Sequence, residues 1–452
     1  MCMFVAALTS LLLGYDQGVM SGAKLYIRRD LGLNDDQVQL VVGILHVSAV
    51  GALCAGWIAD TLGRRMAVGS ACVLFLAGGL LMALANEYTT LIVGRVVTGL
   101  GVGTGLTIAP LYMAELAPAS VRGALVSLNE ISINIGVLLG YLNSWAFSGL
   151  PVSQSWRWML GLGCLPPVVI MVALFFMPES PRYLLRRGRR DEAFRVLARS
   201  CPVDEAKATL ATLADEAQQP LGSWRDLLSP SMRGARWLIL AGVGVAFFQQ
   251  ASGLEALLYY VPETLAHAGI TSLEHQLLIN MAVGGVKLLS VLIAMCFTDK
   301  YGRRTLLMGS GVGIMLSCLL VAISFEAGDI LGLTLLGIFL FMATFSFGFG
   351  PLTWVVSSEI FPLQVRGPAL GLATFVNRVV SGIITSTYLS MAQGLTPAGS
   401  FFLFAGLSLL SVAFVKFVVP ETGGKTLEDI ERDARVERES GEGPMVDDAR
   451  CV

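Results

Sequence analysis

The chain has 452 residues, of which 54% are hydrophobic and only 14% are charged. About a quarter of the residues of a soluble globular domain are charged, so this composition predicts a protein that crosses a membrane several times. The net charge of −2 does not suggest a nucleic-acid partner. The eight cysteines are scattered, without the spacing of a metal site or a disulfide framework. We therefore expect no metal and no cofactor.

Twelve apolar stretches are long enough to cross a lipid bilayer. They lie at 1–22, 38–59, 66–85, 89–113, 121–146, 158–177, 236–261, 275–297, 304–326, 329–357, 363–392 and 399–419. The first stretch leads into GYDQG rather than a small-residue cleavage site, so no cleavable signal is predicted. Because the chain begins almost inside this stretch, we expect its start to be truncated.

Basic residues fall mainly in the even-numbered loops, as at Arg64 and Arg303. By the positive-inside rule these loops face the cytoplasm, so both termini are expected to be cytoplasmic. We expect a monomer in the plasma membrane. The predicted parts are a six-helix half at 1–178, a linker with short helices at 179–235, a second six-helix half at 236–420 and a partly disordered cytoplasmic tail at 421–452.

Three motifs occur twice, at matching places in the two halves. GWIADTLGRR matches MCFTDKYGRR, ELAPASVRG matches EIFPLQVRG, and PESPR is echoed by PETGG. Two six-span halves with parallel repeats describe the major facilitator architecture, an all-α membrane fold of twelve helices. The charged residues of these motifs are expected to act as cytoplasmic gates by pairing the ends of neighbouring helices. The alternative is that they only fix the orientation of the chain in the membrane. They are Asp60, Arg64, Arg65, Glu115, Arg122, Glu179, Arg182, Asp299, Arg303, Arg304, Glu359, Arg366 and Glu421.

The segment Phe247–Tyr260, FFQQASGLEALLYY, places Gln249, Gln250 and Glu255 inside an apolar span. Polar groups at that depth are unfavourable unless they face a cavity or a partner. Gly253 can let the helix bend or part there. We interpret the segment as the wall of a binding site for a small, hydroxyl-rich solute. The alternative interpretation is polar contact between neighbouring helices.

Six charged residues lie well within the predicted spans, and unpaired each would cost roughly 2.5–3.5 kcal/mol. They are Asp16, Arg95, Glu130, Glu255, Lys287 and Arg378. At about 1.5 Å per helical residue, Asp16 and Arg95 lie in the same outer half of the membrane and are able to pair. If the pair separates during transport, Asp16 takes up a proton. The alternative is a permanent structural ion pair.

Lys287 and Arg378 lie near the midplane, where transporters bind their substrates. They are expected to pair with Glu130 and Glu255, in an order that the sequence leaves open, or to hydrogen-bond substrate hydroxyls. Trp354, in FGPLTW, is the expected stacking surface for a sugar-like substrate.

Three further features of the sequence concern function. His46 is a conceivable proton carrier, although a packed polar residue is the more ordinary interpretation. The glycine-rich GLGVGTG lies inside a span with no preceding strand, so it indicates close helix packing rather than a nucleotide site. Motifs for ATP binding, hydrolysis or zinc are also missing from the sequence, and no enzyme activity is predicted.

From about Gly14 to Leu427 the chain resembles the sugar porter family of the major facilitator superfamily. The motifs that carry the resemblance are GYDQGVMSGA, GRR, PESPR, QQASG, GPLTW and PETGGKTLEDIE, in the family's order. NIGVLLGYLNSWAFSGLP, FFQQASG, AVGGVK and FVNRVVSG are most similar to plant-type polyol and monosaccharide proton symporters.

The resemblance implies roles for individual residues. Asp16 stands where proton-coupled members have their titrating aspartate, and Arg95 stands at the position of its partner. Positions that contact sugar in the family are occupied by Gln249, Gln250, Tyr259, Trp354 and Asn377. Four substrate-site positions depart from the hexose and xylose pattern and resemble the polyol-type members. These positions are Glu130, Glu255, Lys287 and Arg378. One difference remains, because those members are expected to carry aspartate where this chain has Glu255.

The resemblance therefore implies a proton-coupled symporter of linear polyols that works by alternating access, with monosaccharides as further candidate substrates. One alternative is a proton-independent facilitator of hexoses or inositol, against which Asp16 argues. The other is a transporter-like sugar sensor. Such sensors carry long cytoplasmic extensions, whereas the predicted tail is short.

Overall fold

The computed structural model describes residues 2–116, 122–199, 202–218, 227, 236–297, 301–362 and 365–422. Within these ranges the chain forms α-helices and short 3-10 turns, and no β-strand. The prediction of an all-α protein is confirmed.

The described residues of the first part of the chain, up to 227, form eleven α-helices. They are α1 (Cys2–Leu31), α2 (Asp35–Gly43), α3 (Ser48–Leu62), α4 (Arg64–Ala83), α5 (Tyr88–Leu116), α6 (Arg122–Ala146), α7 (Val152–Leu162), α8 (Leu165–Leu174), α9 (Pro181–Arg186), α10 (Arg190–Leu197) and α11 (Val203–Gln218). A 3-10 turn at Ile44–Val47 joins α2 to α3, so the second predicted span is tightened around His46. The short helices α9, α10 and α11 bury a common apolar cluster that includes Leu184 and Leu210.

The described residues from 236 to 422 form seven more helices. They are α12 (Arg236–Ala251), α13 (Leu254–His267), α14 (Leu273–Phe297), α15 (Arg303–Glu326), α16 (Leu331–Phe347), α17 (Phe349–Ile360) and α18 (Arg366–Val418). Within the described ranges, nine helical segments are long and apolar enough to cross a membrane. The last of them, α18, covers two predicted spans, since Thr396 interrupts it with a φ of 68°. Helices α1 and α6 fall on the remaining two, so every predicted span coincides with a helix.

Two spans are broken at glycines. Gly253 separates α12 from α13 with a φ of +90°, a conformation that glycine adopts without the strain of a side chain. A Cβ atom there would lie 2.7 Å from the ring of Phe404. Gly348 separates α16 from α17, with a φ of −131° and a ψ of −82°. Both breaks expose backbone carbonyl groups to side-chain partners inside a membrane span.

The helices group into two compact units. The first unit comprises Met1–Leu221, Glu255–Leu288 and Arg378–Gly394, and the second comprises Gly222–Leu254, Leu289–Asn377 and Leu395–Val452. In the first unit α1 packs along α6 and α4 packs along α5, whereas in the second α15 packs along α16 and α12 along α17.

The contact between α1 and α6 depends on glycine. A Cβ atom on Gly14 would lie 1.8 Å from the carbonyl oxygen of Ile133, which is a backbone atom that cannot move aside. Gly14→Ala is therefore expected to destabilise the protein by roughly 1–3 kcal/mol or more, measured as a lower thermal midpoint in detergent micelles. Gly309→Ala is the control, because nothing lies within 4 Å of its added Cβ. Equal midpoints for the two variants would contradict this account.

Candidate functional site

Asp16 on α1 and Arg95 on α5 form a buried ion pair in the first unit. Arg95 Nη1 lies 2.9 and 2.8 Å from the two carboxylate oxygens of Asp16. Asp16 is 3% exposed and Arg95 is fully buried. Arg95 Nε also donates to the carbonyl oxygen of Val41 at 2.9 Å. The pair thus connects α1, α2 and α5, and its role in proton coupling stays a prediction.

Glu255, on the first turn of α13, is the centre of a second buried cluster in this unit. Its Oε1 accepts a hydrogen bond from Gln17 Nε2 at 2.9 Å and lies 3.7 Å from Arg378 Nη1. All three side chains are buried. Glu255 Oε2 has no hydrogen-bond partner among the residues that the structure describes. The pairing of Arg378, which the sequence left open, is therefore with Glu255.

Lys287 on α14 and Glu130 on α6 complete this group of charges. Lys287 is buried and Glu130 is half-buried. The two act on each other electrostatically, and Lys287 also acts on Glu255. In the described part of the chain, neither Lys287 nor Glu130 forms a close ion pair. The electrostatic interaction between Lys287 and Glu130 therefore acts without a short contact between the two charged groups.

Tyr259 lies one turn beyond Glu255 on α13 and is fully buried. Its hydroxyl has no hydrogen-bond partner within the described residues. Its carbonyl oxygen accepts a hydrogen bond from Ser21 Oγ at 3.1 Å, and Ser21 Oγ in turn accepts one from Asn280 Nδ2 at 2.8 Å. Sequence reasoning missed Gln17, Ser21 and Asn280, although each is a polar residue within or beside an apolar span.

His46 is 6% exposed and lies within the 3-10 turn that joins α2 to α3. Its Nε2 is 2.7 Å from Ser381 Oγ, and its Nδ1 is 3.1 Å from the carbonyl oxygen of Gly43. A cavity of about 430 Å³ lies beside it, and its lining includes Arg378 and Ile383. These contacts agree with the packed polar residue that was the more ordinary interpretation of His46.

In the second unit, Gln249, Gln250 and Asn377 form one hydrogen-bond network. Gln249 Nε2 donates to the carbonyl oxygen of Phe349 at 2.8 Å, at the break between α16 and α17. Asn377 Nδ2 donates to Gln249 Oε1 at 2.8 Å, and Gln250 Nε2 donates to Asn377 Oδ1 at 3.2 Å. Gln250 Oε1 has no partner among the described residues. The two predicted glutamines and the predicted asparagine are thus brought together.

Trp354 belongs to the same unit and lies on α17, shortly after the break at Gly348. Its side chain is half-buried, which leaves part of the indole ring accessible. Its role as a stacking surface stays a prediction.

The first set of predicted gating residues surrounds Arg64. Its Nε and Nη2 lie 2.9 and 3.0 Å from the two carboxylate oxygens of Glu115, and its Nη1 lies 3.0 Å from Asp60 Oδ1. Glu179 Oε1 accepts the backbone N–H groups of Arg64 and Arg65 at 2.9 and 3.2 Å. Those N–H groups begin α4 and have no partner within the helix, so Glu179 caps the helix and complements its dipole.

The second unit repeats this arrangement around Arg303. Glu421 accepts the backbone N–H groups of Arg303 and Arg304 at 2.8 and 3.2 Å, at the start of α15. Arg303 Nη2 lies 3.5 Å from Glu359 Oε1. The repeat seen in the sequence is therefore also a repeat of contacts.

The remaining predicted gating residues are less informative. Arg366 Nε donates to the carbonyl oxygen of Phe361 at 3.2 Å, and Arg182 lies on α9. Asp299 and the side chain of Arg122 lie outside the described residues.

Comparison with known proteins identifies the family. Residues 2–434 match the family model described as "Sugar (and other) transporter". The chain belongs to the sugar transporter family. Six polyol transporters of Arabidopsis thaliana are 37–42% identical to it, over 95–100% of this chain and 85–93% of theirs. The glucose transporter GlcP of Staphylococcus epidermidis is 34% identical, over 95% of this chain and 96% of its own.

Solved structures of the E. coli xylose transporter XylE have the same fold. A partially occluded inward open form matches with a TM-score of 0.82 and 26% identity, over 94% of this chain and 98% of that one. The proton:xylose symporter XylE bound to 6-bromo-6-deoxy-D-glucose matches with a TM-score of 0.79 and 28% identity, over 95% and 98%. The predicted major facilitator fold and the predicted family are confirmed, and the protein is a multi-pass membrane transporter.

Proposed function

We propose that this transporter is a proton-coupled symporter of linear polyols, with monosaccharides as a second class of substrate. The observation that carries the proposal is the buried ion pair between Asp16 on α1 and Arg95 on α5. The same helix α1 also contacts the charged cluster at Glu255, through Gln17. The similarity to polyol transporters and to a proton:xylose symporter supports it.

Coupling follows from the chemistry of the pair. While Asp16 is ionised, its attraction to Arg95 holds α1 against α5. Protonation from the outside neutralises the carboxylate and weakens that attraction, which releases α1 for closure around the substrate. When the pair forms again on the inside, the proton is lost. The residues of the networks around Arg64 and Arg303 are proposed to separate when the inside opens, and Arg122 and Asp299 keep the gating role predicted from the sequence.

The charges around Glu255 fit an open-chain polyol. Such a molecule carries a hydroxyl on every carbon and has no apolar ring face. Hydrogen bonds to charged groups are shorter and stronger than neutral ones, so Glu130, Glu255, Lys287 and Arg378 are suited to bind several hydroxyls at once. Tyr259 supplies a further hydroxyl. Gln249, Gln250, Trp354 and Asn377 keep, within this proposal, the substrate-binding role that the family resemblance gives them.

The finer assignments follow from sequence. We place the protein in the plasma membrane as a monomer surrounded by lipid, with both termini in the cytoplasm and neither enzyme activity nor a nucleic-acid partner. Its halves are taken as 1–178 and 236–420, joined by the linker 179–235 and followed by the tail 421–452.

The proposal is tested by proton current in voltage-clamped cells that express the protein. Sorbitol, mannitol, xylitol, myo-inositol, glucose and xylose are applied in turn at acidic external pH. Inward current with the linear polyols is expected, and cells without the protein are the control. Current with hexoses alone would contradict the polyol assignment, and tracer entry without current for any solute would contradict proton coupling.

A further inference from the structure

A stripe of polar side chains on α1 faces α13. Gln17, Ser21 and Lys24 are four and three residues apart, a spacing that places them on one face of a helix. Each contacts α13 in turn. The pairs are Gln17 with Glu255, Ser21 with the carbonyl group of Tyr259, and Lys24 with Glu263. We call these three contacts the polar seam.

The seam fixes α1 against α13 at its outer end. Lys24 is 1% exposed and forms an ion pair with Glu263. Its ammonium group also lies 3.8 Å from the ring centroid of Tyr260, a favourable cation–π distance. Tyr260 in turn donates a hydrogen bond to the carbonyl oxygen of Thr385 at 2.9 Å. The position of Gln17 opposite Glu255 is therefore fixed by the contacts that Lys24 makes with α13.

Gln17 contacts one of the two carboxylate oxygens of Glu255 and leaves the other available. An arginine beside a carboxylate prefers two parallel hydrogen bonds at about 2.7–2.9 Å. Arg378 Nη1 instead lies 3.7 Å from Glu255 Oε1, while Gln17 Nε2 donates to that oxygen at 2.9 Å. Gln17 thus holds one carboxylate oxygen of Glu255 by a hydrogen bond that is shorter than the approach of Arg378 to the same oxygen. Oε2 is left without a partner among the described residues.

We infer that Gln17 is a positioning residue, which holds Glu255 so that Oε2 accepts a substrate hydroxyl. The inference rests on the proposed function, because it names what orients one of the substrate-binding groups. Gln17 also adjoins Asp16 on α1. Any movement of α1 that accompanies loss of the Asp16–Arg95 pair therefore displaces the group that orients Glu255.

The test is Gln17→Leu, assayed as saturable uptake of labelled sorbitol. The KM is expected to rise roughly tenfold or more, since a hydrogen bond to a charged group is lost at the site, with a smaller change in maximal rate. In a Glu255→Leu background, where the side chain has no oxygen for Gln17 to bind, the same substitution is expected to change KM less than twofold, because the effect acts through Glu255. Gln17→Met, which keeps the length of the side chain, gives the same reading if the leucine variant folds poorly.

Gln39→Leu is the matched control. Gln39 is also buried, at 2% exposed, and its Nε2 donates to Ser390 Oγ at 2.9 Å. Its loss should leave KM unchanged. An unchanged KM in Gln17→Leu, or an equal rise in the Glu255→Leu background, would overturn the inference while leaving the proposed function intact. Absence of saturable sorbitol uptake by the unmodified protein would overturn the proposed function itself.

Discussion

Asp16→Asn is expected to abolish uphill accumulation of a polyol while leaving exchange of labelled for unlabelled polyol intact. Asparagine keeps the size of the side chain and an oxygen that accepts from Arg95, but it cannot take up or release a proton. The variant should therefore behave at all times like the protein with a protonated Asp16, a form that the unmodified protein adopts only transiently. Both activities are measured in proteoliposomes, accumulation under an imposed proton gradient and exchange by counterflow.

Asp30→Asn is the matched control for this experiment. Asp30 also lies on α1 and accepts hydrogen bonds from Trp156 Nε1 and Arg157 Nη1, each at 2.9 Å. It has no part in the Asp16–Arg95 pair, so accumulation should survive its substitution. Accumulation that persists in Asp16→Asn would mean that the pair is structural only.

Arg95→Leu is expected to destabilise the folded protein by about 3–5 kcal/mol, because removal of one partner leaves a buried charge uncompensated. Asp16, which is 3% exposed in the structure, loses its ion-pair partner, and the carbonyl oxygen of Val41 loses its donor. The change is measured as a lower thermal midpoint and a lower yield of folded protein in detergent micelles.

Two comparisons make this result specific. The double variant Asp16→Asn with Arg95→Leu should be more stable than Arg95→Leu alone, because the uncompensated charge is gone. Arg189→Leu removes an exposed pair with Glu192 and should change stability by less than about 1 kcal/mol. A double variant no more stable than Arg95→Leu would contradict the electrostatic explanation.

The fold was largely predictable because hydropathy alone locates membrane spans. The ends of the helices were not. α1 was predicted to end near residue 22 but continues to Leu31. The polar residues at its end stay helical because Lys24 pairs with Glu263 and because Arg28 Nη2 lies 2.7 Å from Asp35. A hydropathy pattern records these residues as the end of an apolar run, whereas tertiary partners keep them helical.

The candidate site was predictable where it is charged. A charge inside a span demands a partner, which pointed to Asp16 and Arg95 before any contact was known. Gln17 and Asn280 carry no charge and gave no comparable signal. The pairing of Arg378 with Glu255 was not readable either, because it depends on how α13 leaves the break at Gly253.

The most direct test of proton-coupled polyol transport is accumulation of labelled sorbitol in proteoliposomes under an inward proton gradient. With one proton per sorbitol, each pH unit should support up to about tenfold accumulation, since a factor of ten corresponds to about 1.4 kcal/mol. The account predicts an internal concentration well above the external one that collapses when a protonophore is added. Rapid entry that stops at equal concentrations, with or without the gradient, would contradict it.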